Sequence, residues 1–170
     1  DGSTALITDE MVTRRSEEVT LHGEWFTPHV IEPAFGIDRI IWHILDHCYT
    51  ETEKEGEKYS IMSLSTSVSP FDVAILPLFD KDGMGDVASE ILVRVNSMPG
   101  LRGEMDSSKS IGRRYARVDE IGVPWAITVD HETLENGSVT VRRRDDQKQV
   151  RASVDDVVLN LAAGTVSSLF

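Results

Sequence analysis

Two stretches of the 170-residue chain gather side chains suited to holding anions. In the first, Pro28-His29-Val30-Ile31-Glu32-Pro33-Ala34-Phe35-Gly36-Ile37-Asp38-Arg39, an acid, a glycine and an arginine stand where a strand gives way to a helix. A guanidinium at such a junction presents a planar fork that matches phosphate oxygens. The ordinary alternative is a buried salt bridge between Glu32 and Arg39. In the second stretch, Ser107-Ser108-Lys109-Ser110-Ile111-Gly112-Arg113-Arg114-Tyr115-Ala116-Arg117, three arginines stand near the start of a helix. Free backbone N–H groups and guanidinium forks together favour phosphates or base edges there. Arg113 and Arg117 are four residues apart and align, whereas Arg114 points roughly 100° away. Asp119 and Glu120 can balance these cations on a solvated face. Arg142, Arg143 and Arg144 close a strand, where alternation lets at most two of them reach one ligand face. Tyr115 and Trp125 are either planes for unpaired bases or members of the core.

Other spacings carry less chemistry. His43 and His47 lie four apart with Asp46 between them but lack a third ligand, so no metal site is expected. Cys48 sits at a core-like helical position and reads as a small hydrophobe. Asp80-Lys81-Asp82-Gly83 opens like a calcium loop, yet Ile91 stands where that loop needs a glutamate, so a turn is expected. Asn136-Gly137-Ser138 fits a glycosylation acceptor and is equally explained as a turn.

The elements that must position these groups follow from periodicity. Residues 19–26 and 29–32 have the β-branched and aromatic content of strands. Ile37, Ile40, Ile41, Ile44, Leu45 and Cys48 predict an amphipathic helix over 37–49. The run Glu51 to Lys58 is too polar to bury and is expected to bulge into solvent. From residue 70 the pattern predicts strand 72–78, helix 84–97, strand 102–106, helix 111–121, strand 124–129, strand 138–143 and helix 153–163. Such alternation implies an α/β fold with a parallel sheet covered by helices. Glu135-Asn136-Gly137-Ser138 reads as a hairpin turn that makes one edge strand antiparallel. The sheet is therefore mixed.

Lysine and arginine total 17 against 29 acids, a formal charge of −12, which argues against a surface that is basic throughout. Residues 107–151 nevertheless hold nine basic and seven acidic residues, a net +2, while the remainder carries −14. One face suited to an anionic partner is the expected outcome. No apolar stretch approaches the roughly 20 residues of a membrane span, and the single cysteine fits a reducing compartment, so a cytoplasmic protein without membrane contact is expected.

Val30-Ile31-Glu32-Pro33 followed by Gly36-Ile37-Asp38-Arg39 resembles motif 3 of class II aminoacyl-tRNA synthetases, specifically the glycyl enzymes of the eukaryotic and archaeal type. Ser107 to Pro124, with Val139 to Asp145 and Gln147 to Arg151, resembles the anticodon-binding domain of the same enzymes. The resemblance extends with gaps from about 17 to 164. It implies a C-terminal piece of a synthetase: residues 1–68 ending the catalytic domain with its last antiparallel strands and the motif 3 helix, and 69–170 forming a mixed, mainly parallel five-stranded sheet flanked by helices. The implied chemistry is activation of glycine by ATP with Mg2+, then transfer to tRNA-Gly by a homodimer. Arg39 would be the catalytic, ATP-binding residue on the γ-phosphate side, and Glu32, with Pro33 and Ala34, would receive glycine. Ala34 replaces the family's usual serine and so lacks one hydroxyl contact, worth about 1 kcal/mol. Arg113, Arg117, Arg114, Arg142 and Arg144 would meet the anticodon, the pair Arg113 and Arg117 first. Motifs 1 and 2 are not found, so the piece alone is expected not to activate glycine. The rival readings are a noncatalytic synthetase-like binding module and the anticodon domain of a threonyl, prolyl or histidyl enzyme.

Overall fold

The structure, a computed structural model, describes residues 2–170 except 55 and 80, with the backbone alone of Lys54. Glu55, in the polar run, and Asp80, in the calcium-like loop, therefore lie outside the described residues. The chain divides into two compact units, residues 1–34 and 35–170. In the first, the regular element among the described residues is a short 3₁₀ turn, Asp9–Met11. The expected strands at 19–26 and 29–32 are not formed, and Trp25, Phe26 and Ile31 are exposed. Strand-forming side chains are not enough: a strand exists through the ladder it makes with a neighbour, and none among the described residues pairs with these segments.

The second unit starts with α1 (Ile37–Cys48), whose apolar side chains Ile37, Ile40, Ile41 and Leu45 remain exposed. The polar run that follows is a β-hairpin, β1 (Tyr49–Lys54) and β2 (Glu57–Met62), with Tyr49 opposite Met62 and Thr52 opposite Tyr59. The expectation of a solvated bulge is corrected on this point. The charges alternate so that opposite signs meet across the ladder: Glu53 faces Lys58, and Lys58 reaches Glu51 at 2.9 Å. The expected domain boundary at 68/69 falls in the loop between β2 and the next strand.

The remaining elements are β3 (Val73–Pro77), α2 (Met84–Ser97), β4 (Gly103–Met105), α3 (Ile111–Glu120), β5 (Trp125–Val129), α4 (His131–Asn136), β6 (Ser138–Arg143), β7 (Gln149–Ser153) and α5 (Val154–Ala163). They build a five-stranded sheet in the order β4-β3-β5-β6-β7. Two pairings are parallel, β3 with β4 and with β5, and two are antiparallel, β5 with β6 and β6 with β7. The period of two in β3 explains the layers. Val73 and Ile75 join Ile127, Val139 and Val141 in one core, under Met84, Ala88, Ile91 and Val95 of α2 and Val157, Val158 and Leu161 of α5. Ala74 and Leu76 join Val118, Val123 and Ala126 in a smaller core under α3.

Between β5 and β6 the expected tight hairpin turn is replaced by α4. Asp130 caps it by accepting from Thr133 N–H, while the Thr133 hydroxyl accepts from the Asp130 N–H, a capping box. Gly137 at φ 70 ends the helix instead of forming a two-residue turn. Beyond it β6 is interior and β7, the fifth strand, forms the edge. Among the described residues no helix is long and apolar enough to cross a membrane.

Candidate nucleic-acid interface

The apolar positions Ile111, Tyr115 and Val118 turn one side of α3 onto the smaller core. Arg114, three residues past Ile111, goes inward with them and is 2% exposed. Its guanidinium donates to the carbonyl oxygens of Pro77 (2.5 Å), Leu78 (3.2 Å) and Asp106 (3.1 Å), while Nε has no partner among the described residues. Burial lowers its pKa from the ordinary arginine value, and the nearby Asp106 charge opposes this. The residue thus pins the end of β3 to the start of the loop after β4.

Asp106 organises that loop. One carboxylate oxygen accepts from the Ser108 N–H (2.8 Å) and hydroxyl (2.7 Å), and the other accepts from Arg117, which also donates to the Ser108 hydroxyl at 3.0 Å. Burial pushes the Asp106 carboxyl up, but the Ser108 bonds and the two arginines prevail and hold it below its usual range. Lys109 is exposed at φ 62, and Arg113 is exposed without an ion pair among the described residues. Arg113 and Arg117, aligned by spacing, serve different surroundings: Arg117 is tied down beside β4, whereas Arg113 is exposed and makes no ion pair among the described residues.

Alternation in β6 sends Val139 and Val141 to the larger core and Arg142 to the opposite face. There Arg142, 4% exposed, donates both Nη groups to the two oxygens of Asp119 at 2.8 Å, and Asp119 is fully buried. The Tyr59 hydroxyl donates to the same carboxylate, and the Tyr115 ring lies 4.7 Å from the Arg142 guanidinium. Burial, reinforced by Asp119, pushes the Tyr59 phenol up to about 12. For Arg142 burial acts downward, but the Asp119 bonds win and raise it. Arg144, also 4% exposed, donates to the carbonyls of Leu64 (2.9 Å) and Gly122 (2.8 Å) and to Asp145. Arg143, on the other face, forks onto Asp146 and covers the Phe170 ring.

Of the five arginines singled out in the sequence, Arg114, Arg142 and Arg144 are therefore internal struts, Arg117 is half-engaged and Arg113 is available. The alternative of a solvated face balanced by Asp119 does not hold for that acid, which is the buried partner of Arg142. Tyr115 and Trp125 belong with the core. The Tyr115 hydroxyl meets Thr128, and Trp125 packs against Phe170 at 5.8 Å. Between α3, β2 and residues 147–149 lies a groove of about 530 Å³ whose lining includes Lys58, Gly112, Arg113, Tyr115, Arg142 and Gln149. Sequence reasoning missed Tyr59 and Asp106. For Asp119 a signal existed, since it stands four residues after Tyr115, on the flank of the helix that faces inward.

In residues 1–34, Glu32, Pro33 and Ala34 are exposed. In the second unit Arg39 is exposed on the first turn of α1 and makes no ion pair among the described residues. The His43 and His47 ring centroids lie 4.0 Å apart, with the planes tilted by 41°. Groups of three or more potential metal ligands are absent among the described residues.

The molecule is a mixed α/β domain with an arginine-bearing helix packed over one face of its sheet, and comparison with known proteins supplies the family. Residues 72–163 match the family described as the anticodon binding domain, more than half of the chain, so the chain belongs to that family. It is 45% identical over 169 residues, 98% of its length, to the glycine–tRNA ligase of Methanothrix thermoacetophila. It is 46% identical over 161 residues to that of Methanothermobacter thermautotrophicus. The chain spans only 29% and 27% of the lengths of these two relatives. A prolyl-tRNA synthetase from Cryptosporidium parvum, solved with L-proline and AMP, shares the fold over 64% of this chain and 24% of its own, with TM-score 0.55 and 20% identity.

Proposed function

We propose that the chain is the anticodon-reading, C-terminal part of a glycine–tRNA ligase. The observation that carries this is the 45% identity to a glycine–tRNA ligase over nearly the whole chain. The anticodon loop is taken by the surface at α3, with Arg113 and Lys109 on phosphates and Arg117, released from Asp106, as a further contact. Arg114, Arg142 and Arg144 support that surface from within. In the whole cytoplasmic, homodimeric enzyme, ATP with Mg2+ and glycine are substrates. Arg39, exposed and without a partner among the described residues, fits a phosphate contact and would hold the γ-phosphate side of ATP. Glu32, with Pro33 and Ala34, would receive the glycine ammonium. Because activation is largely positioning and charge stabilisation, the piece alone lacks the groups that complete it.

The test is binding of the chain to a tRNA carrying a glycine anticodon against one with a changed anticodon, from 50 to 200 mM salt. Base reading costs the wrong anticodon about 1–3 kcal/mol per mismatch, whereas phosphate contacts alone give equal affinities and parallel salt slopes. Equal binding of the two tRNAs would overturn the anticodon-reading assignment and favour a noncatalytic binding module.

A further inference from the structure

Unpaired bases need flat side chains to lie on as well as cations for their phosphates. Residues 72–163 contain four aromatic rings, and the structure disposes of two of them. The Tyr115 ring lies under Arg142 with its hydroxyl on Thr128, and Trp125 is packed against the larger core and Phe170. The other two, Phe79 and His131, are exposed, Phe79 by 53%.

These two rings stand side by side for a reason of topology. Phe79 follows β3 by two residues and His131 follows β5 by two, and β3 and β5 are parallel neighbours that pair Pro77 with Val129. The Leu78 N–H donates to the Val129 carbonyl at 2.7 Å, extending the pairing to the residue before Phe79. The ring centroids are 6.1 Å apart and tilted by 45°, so the imidazole props Phe79 without covering its face. Carboxyl ends of parallel strands are where open α/β sheets place their ligands. The Arg114 guanidinium grips the Leu78 carbonyl, so a single rigid joint separates the exposed ring of Phe79 from the exposed cation of Arg113. One side of the joint offers an apolar plane and the other a positive charge, the two requirements of a nucleotide.

We infer that Phe79, held by His131, is the plane on which an unpaired base of the bound RNA stacks. This rests on the anticodon-reading function proposed above. The test uses the full 170-residue chain and a tRNA with a glycine anticodon. Phe79→Leu, which keeps apolar bulk and loses the ring, is expected to weaken binding about five- to one-hundred-fold, while Phe79→Tyr restores it. The salt slope stays that of the parent, because no phosphate contact is lost. Replacing anticodon-loop bases one at a time by abasic residues should reveal one position at which Phe79→Leu no longer matters. Parent-like binding by Phe79→Leu, or a penalty that persists at every abasic position, would overturn the stacking role and leave RNA binding standing. Failure of the parent itself to bind the tRNA would overturn both.

Discussion

Removing Asp119 distinguishes an arginine that reads RNA from one that holds the protein together. Asp119 is fully buried and its carboxylate accepts two bonds from Arg142, itself 4% exposed, and one from Tyr59. In Asp119→Ala the Arg142 charge is left buried without a partner, a loss of about 3–5 kcal/mol for a broken buried pair. With a urea m-value of about 2 kcal/mol per M, the unfolding midpoint followed by circular dichroism should fall by about 1.5–2.5 M. Arg142→Met strands the opposite charge and should cost a similar amount. The double variant Asp119→Leu with Arg142→Met removes both charges, and replacing such pairs by apolar side chains is often neutral or stabilising, so it should recover most of the loss. Because Arg142 acts from within, the folded double variant should bind tRNA within a few-fold of the parent. A midpoint shift below about 0.3 M in Asp119→Ala would refute the energetic reasoning. A tenfold loss of tRNA affinity in the stable double variant would show Arg142 to be a direct contact.

Arg113→Ala should leave the melting temperature unchanged, since the side chain is exposed and makes no ion pair among the described residues, while the logarithmic salt slope of tRNA binding drops by about 1. Gly122→Ala should lower stability by about 2 kcal/mol in a denaturant titration, because φ is 86° and the new Cβ would stand 2.8 Å from Leu64 and 2.9 Å from the Met62 carbonyl. The Arg151 fork holds the Asp130 carboxyl well below its ordinary value. Its stabilisation, about 2 kcal/mol for a charge-assisted pair, is complete above the unfolded value near 4 and fades as pH falls further. The stability gap between the parent and Asp130→Asn should therefore be constant above about pH 5 and close towards pH 2.

The parts of the fold legible in the sequence were those in which a period dominates. The spacing of Met84, Ala88, Ile91 and Val95 marks α2, and that of Ile111, Tyr115 and Val118 marks α3. The hairpin at Tyr49–Met62 was hidden because its stability comes from cross-strand charges and from Tyr59 reaching Asp119, neither of which looks like a buried pattern. The edge strand β7 is five residues long, and its alternation is masked by Arg151, which extends to Asp130. At the candidate interface the residue types were readable but their directions were not. Arg113 and Arg114 are neighbours of one type, and the helix's packing decides that one is a surface cation and the other a strut. Phe79 carried no local signal, because its exposure depends on the ends of β3 and β5 meeting.

The clasp formed by Tyr59 and the hold of Arg144 on the Leu64 carbonyl draw residues from before position 72 into the interior of the 72–163 domain. The stretch matched by the family model is therefore shorter than the packed unit it belongs to. Trimming the chain to residues 72–163 would remove the Tyr59 hydroxyl from the buried Asp119–Arg142 pair and one of the two carbonyls that Arg144 donates to. The hairpin thus belongs to the packing of this domain, although it lies outside the 72–163 match.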